Sequence, residues 1–128
     1  MPNRILLIED DPDFLLLLKY ELTASGYTLI TATNGRDGLE KAQQEKPDLI
    51  LTDLMLPKLN GYEICTMLKQ DARYQKIPIF ILSATKVLEK DEQLAKECGA
   101  DAFILKTIDP KELLRKIQNT LSVLPPAA

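Results

Sequence analysis

Leu49-Ile50-Leu51-Thr52-Asp53-Leu54-Met55-Leu56-Pro57 is the stretch on which the rest of the chain depends. Lys46-Pro47-Asp48 bounds the apolar run on one side and Pro57 on the other, with Asn60-Gly61 close behind. Such a run reads as a buried parallel strand. Asp53 then stands at the strand's carboxyl end. In open α/β sheets that rim is where ligands bind, which places this carboxylate for chemistry rather than for packing.

The flanking segments repeat one pattern. Residues 4–9 (RILLIE) open the chain as an apolar strand. Asp11 then supplies an N-cap, Pro12 suits the first helical position and Asp13 adds negative charge to the first turn, so a helix is predicted to about residue 25, with Gly26 as its stop. The four successive leucines at positions 15–18 put apolar surface on more than one face, which predicts a helix wedged between the sheet and a neighbouring helix. Residues 28–32 read as a second strand, and Asn34-Gly35 turns into a helix over about 36–45 with Leu39 and Ala42 inward. After the central strand, Asn60-Gly61 precedes a helix to about residue 69 whose inner stripe is Ile64, Cys65 and Leu68.

Residues 78–83 predict a fourth strand, 87–98 a helix rich in charge and thin in apolar residues, and 102–105 a fifth strand ending at Lys106. Asp109-Pro110 repeats the cap of the first helix, with Glu112 spaced for a capping box, and Leu113, Leu114, Ile117 and Leu121 follow at core spacing. Five βα units in strict alternation call for a parallel sheet covered by helices on both faces. The length is too short for an eight-unit barrel, so the doubly wound, flavodoxin-like strand order 2-1-3-4-5 is expected.

The bulk numbers agree with one globular domain and exclude several roles. The chain has 128 residues, 45% of them hydrophobic and 27% charged, and a net charge of −3 that argues against direct nucleic-acid binding. No apolar stretch reaches the roughly 20 residues needed to cross a bilayer, and the first residues lack the pattern of a signal peptide. Cys65 and Cys98 stand apart without a C-x-x-C, as expected of core or near-surface thiols in a cytoplasmic protein. There is no histidine, which removes the commonest transition-metal ligand and any phosphohistidine carrier within the chain.

Four of the five strands end in groups with chemistry: Glu9 and Asp10, Asp53, Ser83 and Lys106. In the expected order the first and third strands are neighbours, so Glu9, Asp10 and Asp53 converge on one crevice. Three carboxylates a few Å apart repel one another unless they take up protons or a cation. The ligands are all oxygens and too few for a closed cage, which suits Mg2+ with retained waters. A lysine beside such a site suits phosphoryl transfer: an aspartate oxygen attacks phosphorus while positive charge neutralises the phosphoryl oxygens. Ser83 is placed to donate a hydrogen bond to another phosphoryl oxygen. Each of these residues also has an ordinary role as loop acid, turn residue or surface lysine, and only their coincidence at the strand ends favours chemistry.

The stretches ILLIEDD (5–11), LILTDLMLPKLNG (49–61), PIFILSA (78–84) and GADAFILK (99–106) resemble the response-regulator receiver domains of two-component signalling. The resemblance implies that Asp53 is the phosphoacceptor for a histidine kinase or histidine phosphotransfer protein. It implies Mg2+ on Glu9, Asp10, Asp53 and the backbone carbonyl of Met55, with Lys106 paired to the phosphoryl group. It further implies that Ser83 follows the phosphate inward and that Phe103 swings from exposed to buried. That repacking would reshape the face of the fourth helix, fifth strand and fifth helix for a downstream target or a phosphorylation-linked homodimer.

Residues 1–122 are expected to form the receiver, and 123–128 a tail or the stump of a linker to a missing effector. Two departures stand out. The family usually has proline after the lysine, with a cis bond, whereas here Thr107 follows; a non-proline cis bond costs about 2.5–4 kcal/mol, so a trans bond and a rearranged loop up to Pro110 are expected. Asn60 replaces a common aspartate with little consequence, since both cap helices. Met55 and Thr85, two residues beyond Asp53 and Ser83, offer no carboxylate or carboxamide to align an attacking water, so slow self-dephosphorylation is expected.

Three rivals remain open. A haloacid-dehalogenase-type phosphatase needs a second aspartate where Met55 stands. An FMN carrier needs a phosphate-cradling loop where Glu9-Asp10-Asp11 would repel phosphate. A pseudo-receiver would keep the fold as an interaction module without taking phosphate.

Overall fold

The computed structural model describes residues 3–84 and 89–123. Five strands, β1 (Arg4–Ile8), β2 (Thr28–Ala32), β3 (Leu49–Asp53), β4 (Ile79–Ser83) and β5 (Ala102–Leu105), alternate with five helices, α1 (Pro12–Ala24), α2 (Gly35–Glu45), α3 (Gly61–Lys69), α4 (Glu89–Cys98) and α5 (Pro110–Val123). The strands are parallel and lie in the order β2-β1-β3-β4-β5. The expected doubly wound architecture is therefore present.

Alternation along each strand builds two cores, one on each face. Leu6, Ile8, Ile50, Ile79 and Ile81 meet Leu39 and Ala42 of α2, Ile64, Cys65 and Leu68 of α3 and Cys98 of α4. Ile5, Leu7, Leu49, Leu51, Phe80 and Leu82 meet Leu18 and Leu22 of α1 and Leu113 and Ile117 of α5. β3 is buried at all five positions because it has a strand on each side and helices above and below. Truncating Ile50 to alanine there would cost about 2–5 kcal/mol through lost burial and the cavity left behind. The two thiols are both buried, and Cys65 Sγ donates to the Cys98 carbonyl at 3.3 Å.

Capping chemistry sets the helix starts. Asp11 accepts the Asp13 N–H at 3.0 Å with Pro12 at the first position, and Asn34 accepts that of Asp37 at 2.9 Å. Asn60 and Glu63 form a reciprocal capping box on α3. α5 differs from expectation: Asp109 accepts the Lys111 N–H at 2.9 Å, an i+2 turn in place of a box with Glu112.

The leucine run of α1 is covered only in part. Leu18 is buried and Leu15 half-buried, but Leu16 and Leu17 are 68% and 44% exposed, as is Tyr20 at 70%. α1 packs on the sheet at β2 and on α5, the expected placement, and the exposed leucines lie on the side that neither covers.

Candidate functional site

The period of a strand brings the site together. Glu9 follows Leu7, Asp53 follows Leu51 and Lys106 follows Ile104 at intervals of two, so all three side chains leave the sheet on the α1/α5 face at its carboxyl rim. Lys106 Nζ lies 2.7 Å from Glu9 Oε1 and 3.3 Å from Asp53 Oδ2. Its backbone N–H is pinned to the Ser83 carbonyl at 2.8 Å. Asp10 is exposed, yet ligand oxygens of Glu9, Asp10 and Asp53 all fall within 4.8 Å of one another.

Glu9 is fully buried, and its two oxygens are unequal. Oε1 accepts both Lys106 Nζ and the Asp11 N–H at 3.1 Å. Oε2 is buried with no hydrogen-bond partner, the one such side-chain atom among the described residues. Leaving a buried acceptor unpaired costs about 1–3 kcal/mol, more when it is charged.

Burial pushes the Glu9 carboxyl above its ordinary range; the bond to Lys106 pulls it partly back, and the neighbouring Asp53 charge adds to the rise. Burial likewise raises Asp53, against the charge and hydrogen bond of Lys106 and the N–H of Met55. Burial works against the ammonium of Lys106, but the bond to Glu9 and the charges of Glu9 and Asp53 together outweigh it and raise its pKa. Three carboxylates face one ammonium, so the fully ionised cluster holds one lysine's worth of compensation for three negative charges. The unpartnered Oε2, the clustered oxygens and the hard, all-oxygen donor set fit a divalent cation of the Mg2+ type.

The other expected site residues fall at varying distances from this centre. Ser83 ends β4, buried, and by alternation follows Ile79 and Ile81 on the α2/α3/α4 face; its described tie to Lys106 is the main-chain bond. Met55 is 75% exposed beside Asp53. Phe103 is half-buried on the edge strand, packed against the α2/α3/α4 core and lining an open groove of about 500 Å3 with Ile108 and Lys116. Thr85 lies outside the described residues.

No peptide bond among the described residues is cis, so Lys106–Thr107 is trans as expected. The Ile108 N–H returns to the Leu105 carbonyl at 3.1 Å, closing a turn that still delivers the lysine to the acids. One residue was missed. The ring of Phe14 has its centroid 4.8 Å from Lys106 Nζ, and the sequence reading gave it no role at the site. Its position in the first turn, three residues past the cap, was the available signal.

A doubly wound sheet that gathers three acids and a lysine where its strand order reverses defines a chemotaxis-regulator-like α/β domain. The family model of the response regulator receiver domain matches residues 5–118, and the chain belongs to that family. The alkaline phosphatase synthesis transcriptional regulatory protein PhoP of Bacillus subtilis is 43% identical over 123 residues, covering 94% of this chain and 49% of PhoP. Protein PilH of Pseudomonas aeruginosa is 37% identical over 119 residues, covering 93% of this chain and 98% of PilH.

The chain thus spans about half the length of the first relative and nearly all of the second. The receiver domain of a sensor histidine kinase from Pseudomonas aeruginosa PAO1, solved with a magnesium ion coordinated in its active-site cleft, superposes with a TM-score of 0.86 at 26% identity, covering 95% of this chain and 99% of that one. Family membership sets aside the phosphatase and flavin rivals. Among the described residues no helix is long and apolar enough to cross a membrane.

Proposed function

We propose that this domain is a cytoplasmic phosphorylation switch whose Asp53 accepts a phosphoryl group from a phosphohistidine on a partner kinase or phosphotransfer protein. One observation carries the reading: Lys106 Nζ sits between Glu9 Oε1 and Asp53 Oδ2, at 2.7 and 3.3 Å, beside an acid oxygen that has no partner. The chain has no histidine, so the donor belongs to another molecule.

An Asp53 oxygen attacks phosphorus, the donor's P–N bond breaks, and its electron pair returns to the imidazole. Glu9, Asp10, Asp53 and the Met55 carbonyl would hold Mg2+, which neutralises phosphoryl oxygens when bound. Lys106 offers its ammonium to the phosphoryl group, and its raised pKa keeps it charged throughout the neutral range. Ser83 follows the phosphoryl group by its hydroxyl, and Phe103 moves from half-buried to buried, biasing two packings of the face of α4, β5 and α5 towards a target or a second copy. Met55 supplies no group to align water, so the acyl phosphate is long-lived without a phosphatase. The domain is a phosphoacceptor rather than an enzyme with turnover.

Acetyl phosphate with Mg2+ provides the test, read by intact mass on the wild type and on Asp53→Asn. The wild type gains one hydroxylamine-labile phosphoryl group and the variant gains none. A wild type that stays unmodified with acetyl phosphate and with a set of histidine kinases would instead make it a pseudo-receiver. That rival drew its support from the Lys106-Thr107 sequence, and the reach of Lys106 to both acids weighs against it.

A further inference from the structure

Lys106 is held at both ends but not along its length. Its backbone is fixed by the Ser83 carbonyl and the turn to Ile108, and its tip by two acids on different strands. Between them lie four freely rotating bonds. The shorter contact is to Glu9, the more buried acid, so two carboxylates alone would let the ammonium settle there, away from Asp53.

A third group limits that freedom. The ring of Phe14 faces the ammonium with its centroid 4.8 Å from Nζ, within the range in which an aromatic quadrupole attracts a cation. The lysine side chain is only 12% exposed, so water competes weakly for this contact. Phe14 is itself seated by the α1/α5 core and by the first turn of α1, where Asp11 caps the helix through its side chain and donates its own N–H to Glu9. The acid and the ring therefore belong to one rigid β1–α1 junction.

From this geometry we propose that Phe14 is a positioning residue for phosphoryl transfer. Its ring holds the Lys106 ammonium between Glu9 and Asp53, within reach of an incoming phosphoryl oxygen. The inference rests on the function proposed above and adds to it a residue that touches neither phosphate nor metal.

The test combines a mutant cycle with a spectroscopic signature. Phosphoryl uptake from acetyl phosphate with Mg2+ is timed in the wild type, Phe14→Leu, Phe14→Tyr, Lys106→Gln and the Phe14→Leu/Lys106→Gln double variant. Leucine keeps apolar bulk without a π face, and slows uptake about three- to tenfold. Tyrosine restores the rate to within about twofold of wild type. In the Lys106→Gln background Phe14→Leu changes the rate by less than about twofold, because the group it steers is gone.

In metal-free wild type, the Lys106 ε-methylene protons are shifted upfield by the ring, and the shift disappears in Phe14→Leu. Equal slowing in both backgrounds, failure of tyrosine to rescue, or an unshifted ε-methylene in the wild type overturns the proposal; the last reading holds even where a variant does not fold. A wild type that takes up phosphoryl normally while Phe14→Leu matches it sinks this inference alone. A wild type that takes up none sinks the functional reading and this one with it.

Discussion

Two half-hidden lysines sit at opposite rims of the sheet, and they are satisfied to different degrees. At the amino-terminal rim Lys69 Nζ donates to the Ile77 carbonyl at 2.7 Å, to the Gln75 carbonyl at 3.1 Å and to Asp101 Oδ2 at 3.1 Å. Asp101 Oδ2 also takes the Ile79 N–H at 2.8 Å. Three donors meet three acceptors, and nothing is left for a ligand. At the carboxyl rim Lys106 serves two carboxylates, with a third nearby and Glu9 Oε2 unpaired. A polar cluster that closes on itself acts as a strut. One left short of positive charge is stable only in part and invites a cation or a phosphoryl group.

The sharpest way to break this contrast is to neutralise each lysine. Lys106→Met should slow phosphoryl uptake by roughly 100-fold, the size seen when one preorganised charge-stabilising donor is lost. Lys69→Met should leave uptake per folded molecule within about twofold, since the strut lies at the far rim. Mass spectrometry against time separates the two, and equal slowing would erase the distinction.

Stability should reverse the ranking in the presence of metal. Lys69→Met leaves Asp101 and two carbonyls short of a donor and should cost about 2–3 kcal/mol in urea unfolding, with or without Mg2+. Lys106→Met should also destabilise the metal-free protein, but added Mg2+ should recover most of that loss by supplying the missing positive charge. If Mg2+ rescued both variants alike, the carboxyl rim would hold no special cation site.

Removing one of the crowded acids should do the opposite of removing the lysine. Asp53→Asn is expected to stabilise the metal-free protein near neutral pH by about 1 kcal/mol, because one of two adjacent buried charges is gone. The pH dependence follows from the raised carboxyls of Glu9 and Asp53. A carboxyl that is raised on folding binds its proton more tightly in the native state. Its stabilising contribution is therefore complete below the ordinary carboxylate range and lost as pH rises through the raised folded value. The gain from Asp53→Asn should accordingly shrink towards zero in acid.

The smallest effect should be the response to the cation itself. Free Mg2+ at several times its Kd should add about 1 kcal/mol to wild-type stability at neutral pH. That increment should fade as pH falls and Glu9 and Asp53 take up protons, and it should be weakened in Glu9→Gln. Thermal melts over a pH series measure both. An increment that persists in acid would place the cation elsewhere.

Much of this contrast was legible before any coordinates. The apolar run into Asp53, the acids at residues 9 and 10, and the lysine after the fifth strand marked the carboxyl rim, because side-chain period and strand ends are local properties of a sequence. Lys69 carried no comparable signal. Its partners are two carbonyls and an acid 32 residues away, which only the folded backbone brings to one point. The leucines at 15–18 placed α1 between the sheet and a neighbouring helix, but a run that is apolar all round does not say which flank α5 will leave uncovered. Cap residues were identified, but the partner chosen by Asp109 depended on the turn after Lys106.

The sequence by itself determined the order of the elements, their inward faces and the set of groups at the carboxyl rim, since each follows from short-range periodicity and capping. Only the tertiary structure decided how charge is shared among them. Lys106 meets Glu9 across 97 residues, Phe14 closes over the ammonium, and one oxygen of Glu9 is left without a donor. Those outcomes depend on distances of a few tenths of an ångström between separate segments, and electrostatic and hydrogen-bond energies are decided at that scale.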